Sequence, residues 1–454
     1  MVQRNLTEGS IRKNLIIFAL PFLAANFLQA LYGTVDVAVV GWFTDASGIS
    51  AVSIGSQIMM IINSLVVGVT LGGTILIAQY VGARMEGDIR ETIGSMLTLF
   101  IIAGLVLTAV MFAMLEPILG WLQTPPEALD QARQYSQVAF CGILFTLMYN
   151  GISAVLRGMG DSTRPLIFIA VACILNIVLD LLFVGPLGMG AWGAALATIL
   201  SQAVSMVLSI IYLKRRDFLF DFKLKSFRLH RGKTLRILKL GLPISLQESM
   251  VNLSFLIISA AVNALGVAAS AAVGIAGKFD GFAMLPATAL SGAISSMAAQ
   301  NMGAGQPERA RKTMYTGIAF SLAAASVFFL WVQLAPESVM GLFGAEGDVT
   351  AAGVQYMRAF SLDFLMVAFV FCMNGFFNGC GSTVFSMANG LLSTFLVRIP
   401  LVFLLESAFP AAPLFGIGLA APIASAVSIV VGLAYMRSNR WKRDLVQEGI
   451  LSKS

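Results

Sequence analysis

Long apolar runs alternate along the chain with short breaks of charge, glycine and proline. The runs fall at roughly 14–43, 49–78, 92–115, 131–156, 164–185, 190–213, 234–263, 268–299, 313–335, 353–378, 383–408 and 414–436. A bilayer core of about 30 Å is crossed by about 20 helical residues. Lipid offers no partner to an exposed peptide group, so runs of this length are expected to be helical. The pattern therefore predicts an all-α membrane protein with twelve transmembrane helices.

Composition agrees. Of 454 residues, 58% are hydrophobic and 11% charged, against about 25% charged in a soluble domain. Neither a soluble domain nor a disordered chain has this balance. The four cysteines Cys141, Cys173, Cys372 and Cys380 lie in apolar runs without a CxxC pair, so they read as small buried residues. One histidine, His230, leaves no material for a His-based metal centre or catalytic triad. There is no Walker A motif, and the first apolar run is too long for a signal peptide and lacks a small-residue cleavage end. An enzyme is not expected, nor is a cofactor.

The charges are sorted by side. Lys and Arg crowd near the N-terminus, around 84–90 and 157–164, in the stretch 214–239, around 309–312 and in the tail. The intervening loops near 44–48, 116–130, 186–189, 264–267, 336–352 and 409–413 hold acids but no Lys or Arg, apart from any within the helices. The positive-inside rule then puts both termini in the cytoplasm and the protein in the cell membrane. The net charge of +6 is a consequence of topology, not a sign of nucleic-acid binding.

The sequence also repeats. Ala51-Val-Ser-Ile-Gly returns as Ala272-Val-Gly-Ile-Ala, and Ala78-Gln-Tyr-Val-Gly-Ala returns as Ala299-Gln-Asn-Met-Gly-Ala, both 221 residues on. Arg157-Gly-Met-Gly returns as Asn378-Gly-Cys-Gly, and Ala19-Leu-Pro21 as Gly241-Leu-Pro243. The expected organisation is a six-helix lobe over 1–213, a basic linker over 214–233, a second six-helix lobe over 234–436 and a tail over 437–454. An even helix count gives both lobes one orientation, related by a pseudo-twofold axis along the membrane normal, with a substrate path between them.

Acids inside apolar helices cost several kcal/mol unless neutralised or functional. In the first half, Asp36 lies about 10 Å below the end of helix 1, and Asp180 and Asn176 about 8 and 14 Å below the end of helix 5, at 1.5 Å per residue. Asn176 and Asp180 share one helix face. Thr198 on helix 6 and Tyr135 on helix 4 reach comparable depth, and only Arg133 is a cation near that level. Two carboxylates, an amide and two hydroxyls make an oxygen cage suited to H⁺ or Na⁺, the latter at Asp36, Asn176 and Asp180. The bland alternative is interhelical hydrogen bonding. Pro21, on the helix that carries Asp36, removes a rung of the backbone ladder and is a candidate bend, with Pro243 its repeat partner. In the second half, Lys278 takes the repeat position of Gln57 and Arg398 that of Asn176, and Asp363 lies near their level. With Glu248 and Asp280 they form a polar network, read either as an interhelical ion pair or as part of a substrate or proton path.

Leu20-Pro21 with Val35-Asp36, the Gly-Ala steps after Gln79 and Gln300, Leu156-Arg-Gly-Met-Gly-Asp-Ser-Thr-Arg-Pro165, and Asn176-x-x-x-Asp180 followed by Gly190-Ala-Trp-Gly-Ala-Ala-Leu-Ala-Thr198 together resemble the multidrug and toxic compound extrusion (MATE) family. The resemblance covers nearly the whole chain, and the last pattern is similar to the DinF-like prokaryotic branch. It implies a secondary active multidrug exporter: an H⁺ or Na⁺ antiporter for amphipathic or cationic compounds, working by alternating access as a monomer. It also implies that Asp36 and Asp180 bind the coupling cation with Asn176, Thr198 and Tyr135. The chain departs from the NorM-like branch, whose second-lobe acids align near Val251 and Val367. The alternatives are a lipid or lipid-linked oligosaccharide flippase of the same superfamily, for which Lys278 and Arg398 speak, and a non-transporting scaffold.

Overall fold

The computed structural model describes residues 5–215 and 218–442. Helices follow one another with short turns: α1 Ile11–Phe43, α2 Ala46–Gly82, α3 Glu86–Trp121, α4 Pro126–Cys141, α5 Ile143–Gly158, α6 Thr163–Val184 and α7 Gly190–Arg215. After the linker come α8 Arg231–Asn263, α9 Val267–Ala283, α10 Leu285–Gly303, α11 Pro307–Leu334, α12 Pro336–Gly341, α13 Gly347–Phe360 and α14 Leu362–Gly379. The chain ends in α15 Thr383–Leu391, α16 Ile399–Ala408 and α17 Pro413–Arg437. Among the described residues, 11 helices are long and apolar enough to cross a membrane, or 12 when the bent pair α4 and α5 is one span.

Several predicted spans are interrupted, each for a local reason. The fourth bends by 44° between α4 and α5, at Gly142. The eighth breaks at Met284, just before Pro286, whose missing N–H and ring cannot continue the ladder. The tenth breaks at Ser361, between α13 and α14. The eleventh is wound as a π-helix over Leu392–Arg398 immediately before Pro400, where the same loss of a donor favours a wider turn. Other prolines sit at helix starts, as in α4, α11 and α17, where the absent N–H is not needed, while Pro21, Pro117, Pro243 and Pro422 lie inside helices that continue through them. The N-cap of α2 is Asp45, whose carboxylate accepts from the Gly48 N–H and the Ser47 hydroxyl. Both bonds hold its carboxyl below the ordinary aspartate range.

The helices form two compact units. The first contains Ala24–Leu242; the second contains Leu6–Leu23 together with the residues from Pro243 onward. The packing thus divides the chain inside two helices rather than in the linker. α1 begins in the second unit and passes to the first after Leu23, and α8 begins in the first and passes to the second at Pro243. Pro21 and Pro243, the candidate bends, stand at these two crossings, while both helices remain helical through them.

Each crossing helix is gripped at its start. In the second unit, Leu15, Phe18 and Ala19 pack with Leu290, Ala293 and Ile294 of α10. In the first unit, the start of α8 lies so close to α2 that a Cβ on Gly241 would come within 2.6 Å of the Val69 Cα. Beside it, Lys233 is ion-paired with Asp88 and lies over the Tyr80 ring at 4.0 Å. The described part of the linker is tied down as well. The His230 backbone N–H donates to Ser95 Oγ at 3.0 Å, and Phe220 meets Phe222 and Phe227 edge to face.

The repeat is also visible in contacts. A Cβ on Gly158 would lie 2.9 Å from the Thr74 carbonyl oxygen, and one on Gly379 would lie 2.4 Å from that of Ser295. Both pairs are displaced by the same 221 residues. α5 therefore packs on α2 as α14 packs on α10, backbone nearly against backbone. Small residues permit this close approach, which drives helix association where no hydrophobic effect operates between helices in lipid. The turns that follow match too: Gly160 and Gly381 have φ of 88° and 81°, a region closed to most side chains.

Gly158→Val and Gly379→Val should each destabilise their unit, since the clash is with backbone; overpacking of this kind costs about 1–3 kcal/mol. Gly232→Ala, with nothing within 4 Å, should be neutral. Thermal unfolding in detergent, followed by size-exclusion chromatography, checks this. Equal melting of all three variants and the parent would contradict the packing argument.

Candidate functional site

The first unit brings the predicted oxygen-bearing residues together. Asp36 comes from α1, Tyr135 from α4, Asn176 and Asp180 from α6 and Thr198 from α7. Asn176 and Asp180 are fully buried, and Asp36 and Tyr135 are each 4% exposed. α6 and α7 run side by side, joined by the turn at Gly185–Met189, where the Met189 N–H donates to the Phe183 carbonyl at 2.9 Å. That turn sets Thr198 opposite the face of α6 that carries Asn176 and Asp180.

At the centre, Thr198 Oγ1 donates to Asp36 Oδ2 at 3.1 Å. Asp180 and Asn176 face the same carboxylate closely enough to act on it. The Tyr135 phenol is within electrostatic reach of both acids, and its hydroxyl lies 3.4 Å from Ser56 Oγ. Around this centre, Asp36 Oδ1, both Asp180 oxygens and both amide atoms of Asn176 are buried with no hydrogen-bond partner among the described residues. Buried polar atoms in native proteins are almost always paired. Two facing carboxylates are both acceptors and cannot satisfy each other unless one carries a proton or a cation stands between them. The donor set consists of oxygens, which suits a hard cation. Among the described residues there is no cluster of three His, Cys, Asp or Glu side chains that would hold a metal ion. Arg133 is turned away, bound to Glu116 and Asp130 at the surface.

Three neighbours were not picked out from the sequence. Gly55 makes room for the Tyr135 ring, since a Cβ there would lie 2.1 Å from it. Ser56 meets the Tyr135 hydroxyl. Cys173 is 4% exposed and within electrostatic reach of Asp36. The signals were faint but present. Gly55 closes the repeated Ala51-Val-Ser-Ile-Gly motif, and Cys173 precedes Asn176 by three residues on the same helix face.

The second-unit network is arranged differently from an interhelical ion pair. Asp363 accepts from Ser425 Oγ at 2.6 Å. The Arg398 guanidinium lies over the Phe255 ring at 4.9 Å. Among the described residues neither Arg398 nor Lys278 is ion-paired with Asp363, and Lys278 is exposed. Asp280 feels both Asp363 and Arg398, and its Oδ1 is buried with no hydrogen-bond partner among the described residues. Glu248 is exposed on α8 and stands apart. Lys278 and Glu248 are thus not drawn into the cluster of Asp280, Asp363 and Arg398. That cluster is held by a hydroxyl, an aromatic face and longer-range attraction.

Two repeated helical units with up to twelve spans, one of them enclosing paired acids, are the build of a polytopic membrane transporter. The sequence profile of the MatE family matches residues 21–182 and 243–404, one segment in each half; the chain belongs to this family, the multidrug and toxic compound extrusion transporters. It is 29% identical to the Bacillus subtilis protein named "Probable multidrug resistance protein YpnP", over 96% of this chain and 97% of that one. It is 27% identical to "Probable multidrug resistance protein NorM" of Thermotoga maritima, over 88% and 86%. Its fold matches that of a MOP-superfamily transporter from Pyrococcus furiosus, with a TM-score of 0.89 and 22% identity over 97% and 98% of the two chains. Family and relatives are transporters, not enzymes.

Thr198→Val keeps the shape of the side chain but removes the hydroxyl that donates to Asp36 Oδ2, a loss of about 1 kcal/mol for a typical bond. It should weaken export several-fold. Gly55→Leu, which displaces the Tyr135 ring, should impair export more than Tyr135→Phe, which removes only a long contact. Export of a fluorescent substrate from cells, normalised to protein in the membrane, checks the order Gly55→Leu worse than Tyr135→Phe.

Proposed function

We propose that this chain is a secondary active multidrug exporter that exchanges H⁺ or Na⁺ for amphipathic or cationic organic compounds by alternating access, with Asp36 and Asp180 as the coupling pair. The observation that carries this reading is the buried cluster in which two carboxylates from α1 and α6 face each other with unpartnered oxygens. Both termini are assigned to the cytoplasm, from the sorting of Lys and Arg, and the protein to the cell membrane.

The coupling follows from charge. A pair of carboxylates in an apolar unit carries one positive charge, a proton or Na⁺, at far lower free energy than none. Asn176 and Thr198 orient the pair, and Tyr135 bounds it. Gaining or losing that charge changes the forces on α1, the helix that crosses between units near Pro21. Exchange results when cation and drug each stabilise a different conformation of the same protein. Family relatives named as multidrug export proteins, such as MepA of Staphylococcus haemolyticus, support a drug as the exported ligand. The proton is the ion we favour.

A second reading is a lipid or lipid-linked oligosaccharide flippase. Lys278 and Arg398 support it, because among the described residues neither is paired with an acid and an anionic headgroup would need such cations. Drug resistance of cells expressing the protein supports the exporter; rescue of a flippase-deficient strain without drug resistance supports the flippase.

In everted vesicles, adding a substrate drug should discharge a pre-formed pH gradient, and at fixed pH the exchange should not require Na⁺. Asp36→Asn, which mimics the neutral acid, should fold and bind drug yet lose coupled export. Asp180→Asn should do the same, and the double variant should be little worse than either, because the pair works as a unit. Wild-type transport by Asp36→Asn with unchanged cation dependence would remove Asp36 from the coupling role.

A further inference from the structure

The start of α1 and the start of α11 lie together in the second unit and form a continuous outer face. At its charged end is an open pocket of about 470 Å³, lined by Ser10, Arg12, Arg309, Lys312, Tyr315 and Thr316. Farther along the same two helices is an apolar groove of about 130 Å³, lined by Ile16, Leu20, Leu23, Pro286, Leu290 and Phe320. Arg12 and Leu20 are eight residues apart on α1, as are Lys312 and Phe320 on α11. Each interval is about 12 Å of helix. Both helices therefore pass from cation to hydrocarbon-like surface over the same distance and in the same direction.

The side chains are spaced to present this gradient outward. Arg12, Ile16 and Leu20 follow at i, i+4 and i+8 on α1, and all three are exposed. Lys312, Tyr315, Thr316 and Phe320 recur at helical spacing on α11, with Lys312 and Tyr315 exposed. The pocket's cations are divided in role. Arg309 donates to the Glu8 and Gly9 carbonyls, both at 2.9 Å, and thereby shapes the wall. The neighbouring Glu308 is taken by Arg311 and Lys442. Among the described residues neither Arg12 nor Lys312 has a carboxylate partner. Tyr315 adds an interfacial phenol at the boundary between the two regions.

We propose that this face is a binding site for one anionic phospholipid, its phosphate held by Arg12 and Lys312 and an acyl chain laid along Ile16, Leu20 and Phe320. Charge complementarity and the apolar continuation together select a lipid. Free phosphate would use only the basic end, and a zwitterionic lipid would gain little from two unpaired cations. The orientation assigned above decides only the leaflet, the cytoplasmic one, where anionic lipids attract basic residues. The groove ends at Leu23, the last residue of α1 in this unit, beside Pro21. A bound chain would therefore bear on the part of α1 that leads to the crossing.

Native mass spectrometry of the full-length, detergent-purified protein tests the site with phosphatidylglycerol, phosphatidylcholine of the same chains, and inorganic phosphate. One phosphatidylglycerol should be retained in preference to phosphatidylcholine, and phosphate should not compete at millimolar concentration. Arg12→Gln with Lys312→Gln should weaken retention about tenfold and abolish the headgroup preference. Leu20→Trp should weaken retention of both lipids. Photo-crosslinking with a diazirine phosphatidylglycerol should label peptides of α1 and α11, which reads the site without any variant. Equal retention of both lipids, competition by phosphate, unchanged binding by the double variant, or labelling confined to other helices would each overturn the proposal. Lipid retention is read independently of drug transport, so failure of the exporter reading would leave it standing.

Discussion

A polar group inside a bilayer has only the protein to answer it, and this constraint organises the molecule at every scale. It makes each span a helix, because only a helix satisfies its own backbone within one segment. It also makes the unpartnered oxygens around Asp36 and Asp180 significant. The same atoms on a surface would be met by water and mean little. The cluster is instead walled by α1, α4, α6 and α7, and on the proposed function an entering cation completes it.

Close helix packing keeps that cluster in place. The glycine contacts of α5 on α2 and of α14 on α10 bring backbones together in both units, and Gly55 of α2 seats the Tyr135 ring of α4. α1 is the exception. It starts in one unit, gripped by α10 and by the bonds from Arg309, and delivers Asp36 to the other. Pro21 lies close to the crossing. A helix anchored in two units, with one backbone rung missing near the passage, is the element through which the proposed coupling at Asp36 would act. α8 repeats the arrangement around Pro243 but carries no buried acid at the corresponding depth. The two halves therefore share an architecture and differ in chemistry.

The second unit shows how far that divergence has gone. Tyr356 follows Tyr135 by the repeat interval and is likewise buried, yet its charged neighbours are Asp280, Asp363 and Arg398 rather than a pair of facing acids. A π-helical turn ends at Arg398, and the guanidinium rests over Phe255; among the described residues it is not ion-paired with Asp363. Buried Asp363 is instead met by the Ser425 hydroxyl. Arg12 and Lys312 are exposed and belong to a different environment, where charge is less costly than in the interior.

Span number, the repeat, and the gathering of Asp36, Asn176, Asp180, Thr198 and Tyr135 were all legible in the sequence. Hydrophobic length, fixed offsets between motifs and a constant rise per residue carry that information without reference to packing. Depth along a helix is a one-dimensional quantity. What the one-dimensional reading could not supply was azimuth and partnership. Whether Arg133 turned toward the acids or toward Glu116, whether Arg398 met Asp363 or Phe255, and whether Gly55 was a packing gap or the seat of Tyr135 depended on helix rotation and neighbours. The handover of α1 and α8 between units was equally hidden, because the apolar pattern runs unbroken through Pro21 and Pro243. Lipid-facing and helix-facing residues are both apolar in a membrane protein, so hydrophobicity marks where a helix lies but not which helix it touches; only the tertiary contacts decide that.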